Sequence, residues 1–229
     1  MTSPPAKSEV RKPKSALWLI TAVLLIAAAL RFIGIVHISP PGLAHDEVAN
    51  WLIDRLILSG EHAIYFTRAY GHEAGYHYWQ ALLVALIGDH ALSLRLASGY
   101  VGLLGVAITY TLARKLFGVR VALTAAGITA VLFLPVFYGR LGLRAISLPL
   151  VSGLSAYFWW QAWDCRRKSA KGQRPLVLFV LAGFFGGLSL YTYLAARAAP
   201  IFYALFVVYL AIFHGAELKA RWRGVVVFG

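Results

Sequence analysis

Long apolar stretches alternate with short polar or basic segments along this chain, at residues 16–36, 91–113, 121–138, 145–163, 175–192 and 199–213. Each is about long enough to cross ~30 Å of hydrocarbon as a helix, so the pattern predicts six membrane spans. Residues 76–87 are also apolar and aromatic, but about a dozen residues do not reach across. They predict a helix lying in the membrane interface, with Tyr76, Tyr78 and Trp79 at headgroup level. Between the first two runs, Pro40-Pro41-Gly42 stops the helix. From Asp46 a helical period returns: Val48, Trp51, Leu52 and Leu56 line one face, while Glu47, Asn50 and Asp54 face away. Gly60 offers its C-cap. This predicts a second interfacial helix with Asp46 and Glu47 in its first turn on the water side. The expected fold class is all-α, a polytopic transmembrane helix bundle carrying amphipathic interfacial helices in its first outer loop, residues 37–90.

Composition agrees with that class. The 229 residues are 60% hydrophobic, with a mean hydropathy of +0.69, well above an ordinary soluble domain. The net charge of +13 changes the picture only through its placement. Fifteen basic residues fall before the first run, between the second and third, between the fourth and fifth, and after the sixth; six fall in the alternate loops. The positive-inside rule then puts the N-terminus in the cytoplasm, residues 37–90 outside, and the chain in the plasma or inner membrane as a multi-pass protein. The charge is thus a topology signal, and nucleic acid is not an expected partner. Counting residues 76–87 as a span would move the basic run 166–174 outside, against the same rule. Residues 1–15, with three prolines and no apolar period, are expected to be a disordered cytoplasmic tail, and residues 16–229 one transmembrane domain. A basic stretch, an apolar run and Ala27-Ala28-Ala29 also imitate a cleaved signal peptide. The run continues to Val36, longer than a signal core, which favours an uncleaved anchor. Cys165 is the sole cysteine, so no disulfide framework exists, and no repeat of fixed period is visible.

Loop 37–90 concentrates the titratable groups: six of the nine acidic residues and six of the seven histidines. Asp46 and Glu47 admit two readings. Acidic residues in a first turn cap a helix and complement its dipole; they can equally serve as a base or as ligands of a divalent cation. His72-Glu73 is the second polar pair, and alone it reads as a solvated turn. The histidines lack the spacing of a metal site, and His72 and His77, five apart, do not share a helical face. Arg140, Arg144 and Arg197 lie at the outer ends of spans, where arginine snorkels to headgroups; three at one depth can also hold the phosphate of a lipid carrier. Runs 121–138, 145–163, 175–192 and 199–213 contain no Asp, Glu, Lys, Arg or His, which counts against an ion-coupled transporter.

Taken in order, Leu30-Arg31-Phe32, Pro41-Gly42-Leu43-Ala44-His45-Asp46-Glu47, Gly71-His72-Glu73-Ala74-Gly75-Tyr76-His77-Tyr78-Trp79, Leu94-Arg95-Leu96-Ala97-Ser98, Ala113-Arg114-Lys115-Leu116-Phe117-Gly118 and Arg140-Leu141-Gly142-Leu143-Arg144 resemble a known family. They are similar to polytopic glycosyltransferases of the GT-C fold, nearest to the protein O-mannosyltransferase and aminoarabinose-transferase group, over residues 16–229. The resemblance implies an enzyme that moves a sugar from a polyprenyl-phosphate carrier to an acceptor hydroxyl of a protein, lipid or glycan at the outer membrane face. It assigns Asp46 and Glu47 to catalysis, by base catalysis with inversion or through a divalent cation held by the pair. His72, Glu73, Arg140, Arg144 and Arg197 are the substrate-binding candidates. His72-Glu73 stands where the family has Lys-Pro or His-Pro. Family members carry more spans and often a C-terminal soluble domain, so this chain is expected to be the N-terminal part of that architecture. The competing readings are a transporter or lipid flippase and an inactive truncated subunit.

Overall fold

A computed structural model describes residues 14–37, 42–68, 71–165 and 173–229. The expected tail up to Pro13, the Pro40-Pro41 break and residues 166–172 of the basic loop lie outside the described residues. The order is α1 (Lys14–Phe32), α2 (His45–Leu58), β1 (Tyr65–Phe66), β2 (His72–Glu73), α3 (Ala74–Ile87), α4 (Ala91–Phe117), α5 (Val119–Val131), α6 (Phe133–Arg140), α7 (Ser147–Cys165), α8 (Gln173–Ser189), α9 (Ala199–Phe213) and α10 (Gly215–Phe228). The two short strands pair antiparallel, Tyr65 with Glu73 and Phe66 with His72.

The protein is a multi-pass membrane protein. Ser15–Phe32, Ala91–Phe117 and Leu194–Phe213 are long and apolar enough to cross a bilayer; α5 and α6 together form a fourth candidate, bent by 54°. The bend has a local cause. Pro135, in the first turn of α6, has no N–H to give and its ring crowds the carbonyl four residues back, Val131, so α5 ends there. The carbonyls freed at that end are met by Arg31 of α1, which is fully buried. Its Nη1 donates to Ala130 O and Ala27 O, both at 3.0 Å, and its Nη2 to Thr129 O at 3.4 Å. Gly102 and Gly139 leave room for it: a Cβ on either would stand 3.1–3.2 Å from Arg31 Nε.

Two apolar clusters hold the bundle. In one, Ala122, Ala126 and Ala130, spaced by four on α5, let that helix approach Ile20 and Ala27 of α1 and Val106 and Tyr110 of α4 closely. The other surrounds Trp159 of α7 with Phe179, Leu210 and Phe228. Trp18, Phe133 and Phe202 point outward, about 70% exposed, as expected of side chains that face lipid.

α2 and α3 pack on each other and α3 packs on α4, which corrects the orientation expected for both. On α2 the buried residues are Glu47, Asn50, Ile53, Asp54 and Ile57, so its polar stripe faces inward and Leu52 is exposed. On α3, Tyr78 and Trp79 lie at the surface as expected, but Tyr76 is buried and its hydroxyl bonds Ser98 Oγ. The start of α3 is fastened by Gly75 N–H, which donates to Tyr191 O at 2.8 Å. A Cβ at Gly75 would meet that oxygen at 2.6 Å.

Candidate active site

The first turn of α2 puts adjacent carboxylates in opposite environments. Glu47 is fully buried and receives four hydrogen bonds. Oε1 accepts from Arg95 Nε at 2.9 Å and from Gly142 N–H at 3.0 Å; Oε2 accepts from Arg95 Nη2 at 3.1 Å and Ala44 N–H at 2.9 Å. Arg95, also buried, donates further to Ile35 O and Gly42 O. Burial pushes the Glu47 carboxyl up, but the hydrogen bonds from Arg95, Ala44 and Gly142 and the guanidinium charge outweigh it and leave it below the ordinary 4.5. The end of α1, the entry to α2, α4 and the Gly142 turn are thus tied to one ion pair. Asn50 joins by donating from Nδ2 to Gly142 O at 2.6 Å. Helix capping therefore falls to Glu47, which reaches back to the N-cap residue Ala44; Asp46 makes no cap bond.

Asp46 faces the other way. Its side chain is 77% exposed, with His45 Nδ1 at 3.4 Å as its neighbour. It lines an open cavity of about 730 Å³ together with His45, Val48, Leu52, Arg68 and His72. The pair does not fit a shared cation, because both Glu47 oxygens are already engaged by N–H donors and point into the protein. Among the described residues no group of three His, Cys, Asp or Glu side chains is placed to hold a metal ion.

The second pair, His72-Glu73, forms strand β2 and leads two different networks. Glu73 is buried and accepts from Arg144 Nη1 at 2.6 Å, with Arg197 Nη2 3.6 Å from its other oxygen. Arg144 lies over the Tyr193 ring, 5.5 Å from its centroid. Three of the expected substrate residues therefore converge. Arg140 does not join them. Its Nη1 donates to Leu30 O at 2.7 Å and Ile33 O at 2.9 Å, and its Nη2 to Gly34 O at 3.0 Å. The carbonyls at a helix end lack partners within the helix, and Arg140 supplies them for α1, a correction to its expected role.

His72 Nδ1 lies 3.0 Å from His77 Nε2, and His77 Nδ1 lies 3.2 Å from Asp54 Oδ1. The two imidazoles stack at 5.2 Å. Spacing by five does not put them on one helical face; they meet because the chain passes from strand into helix between them. Asp54 and His77 are fully buried. Burial and the nearby charge of Asp89 push the Asp54 carboxyl up to about 9. Burial, with His72 and Arg144 nearby, pushes His77 down to about 3. Burial thus disfavours the charged form of each partner, the carboxylate of Asp54 and the imidazolium of His77.

Sequence reading missed Arg95, Asn50, Asp54, His77 and Gln80, which donates from Nε2 to Leu94 O at 3.1 Å and Gly142 O at 3.3 Å. Glu47, Asn50 and Asp54 were visible as a stripe, and Arg95 stood in a segment of the family likeness. What was not visible was the side on which the stripe would be covered.

The fold is that of an archaeal enzyme. The apo crystal structure of the Archaeoglobus fulgidus oligosaccharyltransferase matches with a TM-score of 0.70 at 21% identity, over 88% of this chain and 27% of that one. The oligosaccharyltransferase AglB of the same organism, in complex with an inhibitory peptide and a dolichol-phosphate, matches with a TM-score of 0.67 at 19% identity, over 89% and 26%. The chain thus spans about a quarter of the length of these structures and shares their GT-C-type transmembrane fold. No curated protein sequence matches. A family profile, described as dolichyl-phosphate-mannose-protein mannosyltransferase, matches residues 72–228. That stretch runs from His72 through α10, more than half of the chain, and on it the chain belongs to the dolichyl-phosphate-mannose-protein mannosyltransferase family.

Proposed function

We propose that this chain carries the catalytic loop of a glycosyltransferase that moves a sugar from a polyprenyl-phosphate carrier to an acceptor hydroxyl at the outer face of the membrane, with inversion. The observation that carries this reading is the opposed placement of Asp46 and Glu47. Glu47 is consumed by four hydrogen bonds, whereas Asp46 stands exposed on the wall of a cavity large enough for a sugar phosphate. The carbon attacked already carries a phosphate leaving group. The protein must then place the acceptor and take its proton as the oxygen attacks, which is general-base catalysis by Asp46. Glu47 is a positioning residue: it fixes the roll of α2 so that Asp46 faces the cavity. Arg144 and Arg197, steered by Glu73, are suited to the donor phosphate, since guanidinium groups bind phosphate through paired hydrogen bonds.

The test is Asp46→Asn in the full-length enzyme, with a polyprenyl-phosphate sugar as donor. Loss of transfer by about a hundredfold or more is expected, in line with removal of a general base, together with an unchanged melting temperature. Asparagine caps a helix about as well as aspartate, and Asp46 caps nothing here. Transfer retained at the parental rate in Asp46→Asn overturns the assignment.

A further inference from the structure

The basic residues of α10 have no part in the outer site, and as a run in the sequence they mark only topology. In the fold they line a recess. α10 packs along α8, and the approach is close at Gly224, where a Cβ would stand 2.2 Å from the Phe179 ring. Beside that contact, near Pro175 in the first turn of α8, lies a cavity of about 390 Å³. Leu176 and Phe179 of α8 give it one apolar wall, and Lys219, Arg221, Trp222 and Arg223 of α10 give it the other. Lys219, Trp222 and Arg223 are exposed, whereas Arg221 is buried. Its Nε donates to Trp163 O at 3.2 Å, and its Nη1 to Glu217 O at 3.0 Å and Glu217 Oε2 at 3.3 Å. The guanidinium also lies over the Trp163 ring, 4.3 Å from its centroid. Arg221 is thus a fixed cation on the wall of the recess, and the exposed Lys219 and Arg223 flank it.

We propose that this recess binds the headgroup of an anionic phospholipid, with the phosphate facing Lys219, Arg221 and Arg223 and the glycerol and upper acyl chain lying on Leu176 and Phe179. The proposal does not depend on the glycosyltransferase reading. Charge is the first argument. Three cations line the recess, no carboxylate does among the described residues, and the neighbouring acid Glu217 is already held by Arg221. A guanidinium pinned through Nε and Nη1 loses little freedom on binding phosphate. Position is the second. The basic run 166–174 ends beside Pro175 in the sequence, and the positive-inside rule puts this end of α8 and α10 at the cytoplasmic leaflet. Basic pockets between spans on that side suit anionic headgroups. Trp222 is exposed there, with the Arg223 guanidinium 5.6 Å from its ring centroid, and tryptophan is an anchor of the membrane interface. The apolar wall is the third. A free phosphate would use the cations but leave Leu176 and Phe179 to water, whereas a phospholipid covers both.

Native mass spectrometry of the full-length protein, released from detergent with phosphatidylglycerol or phosphatidylcholine of the same chain length added, reads the affinity for each lipid. Phosphatidylglycerol is expected to bind the parent about tenfold more tightly or better; equal affinities overturn the proposal. Lys219→Gln with Arg223→Gln should weaken phosphatidylglycerol binding about thirtyfold, roughly fivefold for each basic residue lost. Both side chains are exposed, so the lipid-free melting temperature should stay within about 2 °C of the parent. Lys219→Arg with Arg223→Lys keeps the charge and should bind within about threefold of the parent. Arg120→Gln, an exposed cation of another basic loop, separates a local site from the general attraction of a basic surface and should leave the affinity unchanged. Parental affinity in the double Gln variant, or an equal loss in Arg120→Gln, overturns the proposal. Inorganic phosphate in large excess is expected to leave the lipid bound; displacement by it assigns the recess to free phosphate and overturns the lipid.

Discussion

Glu47→Gln is the substitution that separates the two carboxylates most sharply. Glutamine keeps the shape of the side chain but offers one acceptor oxygen in place of two. Its oxygen can take over from Oε1, facing Arg95 Nε and Gly142 N–H; its amide then confronts Arg95 Nη2 and Ala44 N–H, donor against donor. Turning the amide over moves the conflict to the other side without removing it. Arg95, only 2% exposed, is left as a buried cation without its counter-ion. Removing one partner of a buried ion pair costs about 3–5 kcal/mol, a large share of the ~5–15 kcal/mol that holds a typical domain folded.

For a domain of this size that loss corresponds to a melting temperature lower by roughly 6–20 °C, read by tryptophan fluorescence in detergent. The pH dependence has a definite sign. The Glu47 carboxyl is held below 4.5 in the fold, so its contribution is present above about pH 4.5 and is lost as the pH falls below it. The parent should therefore lose stability in acid, and Glu47→Gln, already weakened at pH 7, should show that loss less. Transfer should fall in step with the folded fraction. A Glu47→Gln enzyme that melts with the parent yet transfers no sugar would falsify the division of labour, for Glu47 would then be acting on the reaction itself.

Two further outcomes follow from the placement of the basic residues. Arg144→Ala should raise the donor KM roughly ten- to a hundredfold, the worth of a charged hydrogen bond to phosphate, while Arg140→Ala leaves it within about twofold and lowers the melting temperature by uncapping α1; equal effects on donor KM would refute the separation. Cysteines placed at Ser59 or Glu61 should react with an impermeant thiol reagent in intact cells and one at Lys219 only after the membrane is opened, following the distribution of basic residues; the reverse pattern would remove Asp46 from an outer-leaflet donor and the proposed function with it.

The bundle was legible because apolar runs of membrane length leave few alternatives to helices. The sites of helix breaking were less so. The run 121–138 reads as one span, but Pro135 divides it into α5 and α6. The run 175–192 loses its last residues from the helix, because α8 stops at Ser189. Among the candidate site residues, Asp46, Glu47, His72, Glu73, Arg144 and Arg197 were within reach of motif and position. Arg140 was not separable from Arg144 by sequence, since only the fold brings α1 carbonyls to one and Glu73 to the other. His77 was hidden by a rule that holds within one helix and not across a strand-to-helix junction. For α2, the rule that apolar faces turn inward inverted, because its polar stripe is covered by an arginine, a glycine turn and a histidine, while the apolar residues Val48 and Leu52 line the open cavity.

That inversion gives two neighbouring acids different surroundings. Successive residues on an α-helix point about 100° apart, so Asp46 and Glu47 cannot share one environment. When Glu47 enters the polar core and is fixed there by Arg95 and Gly142, Asp46 is turned outward by helix geometry alone. The same roll carries Asp54, seven residues on from Glu47, back to the buried face, where it meets His77. One ion pair thereby sets the phase of α2 and, through it, the positions of the exposed Asp46 and of the buried Asp54, which lies against His77. A slip of one residue in that phase would swing Asp46 out of the cavity and Asp54 away from His77 together.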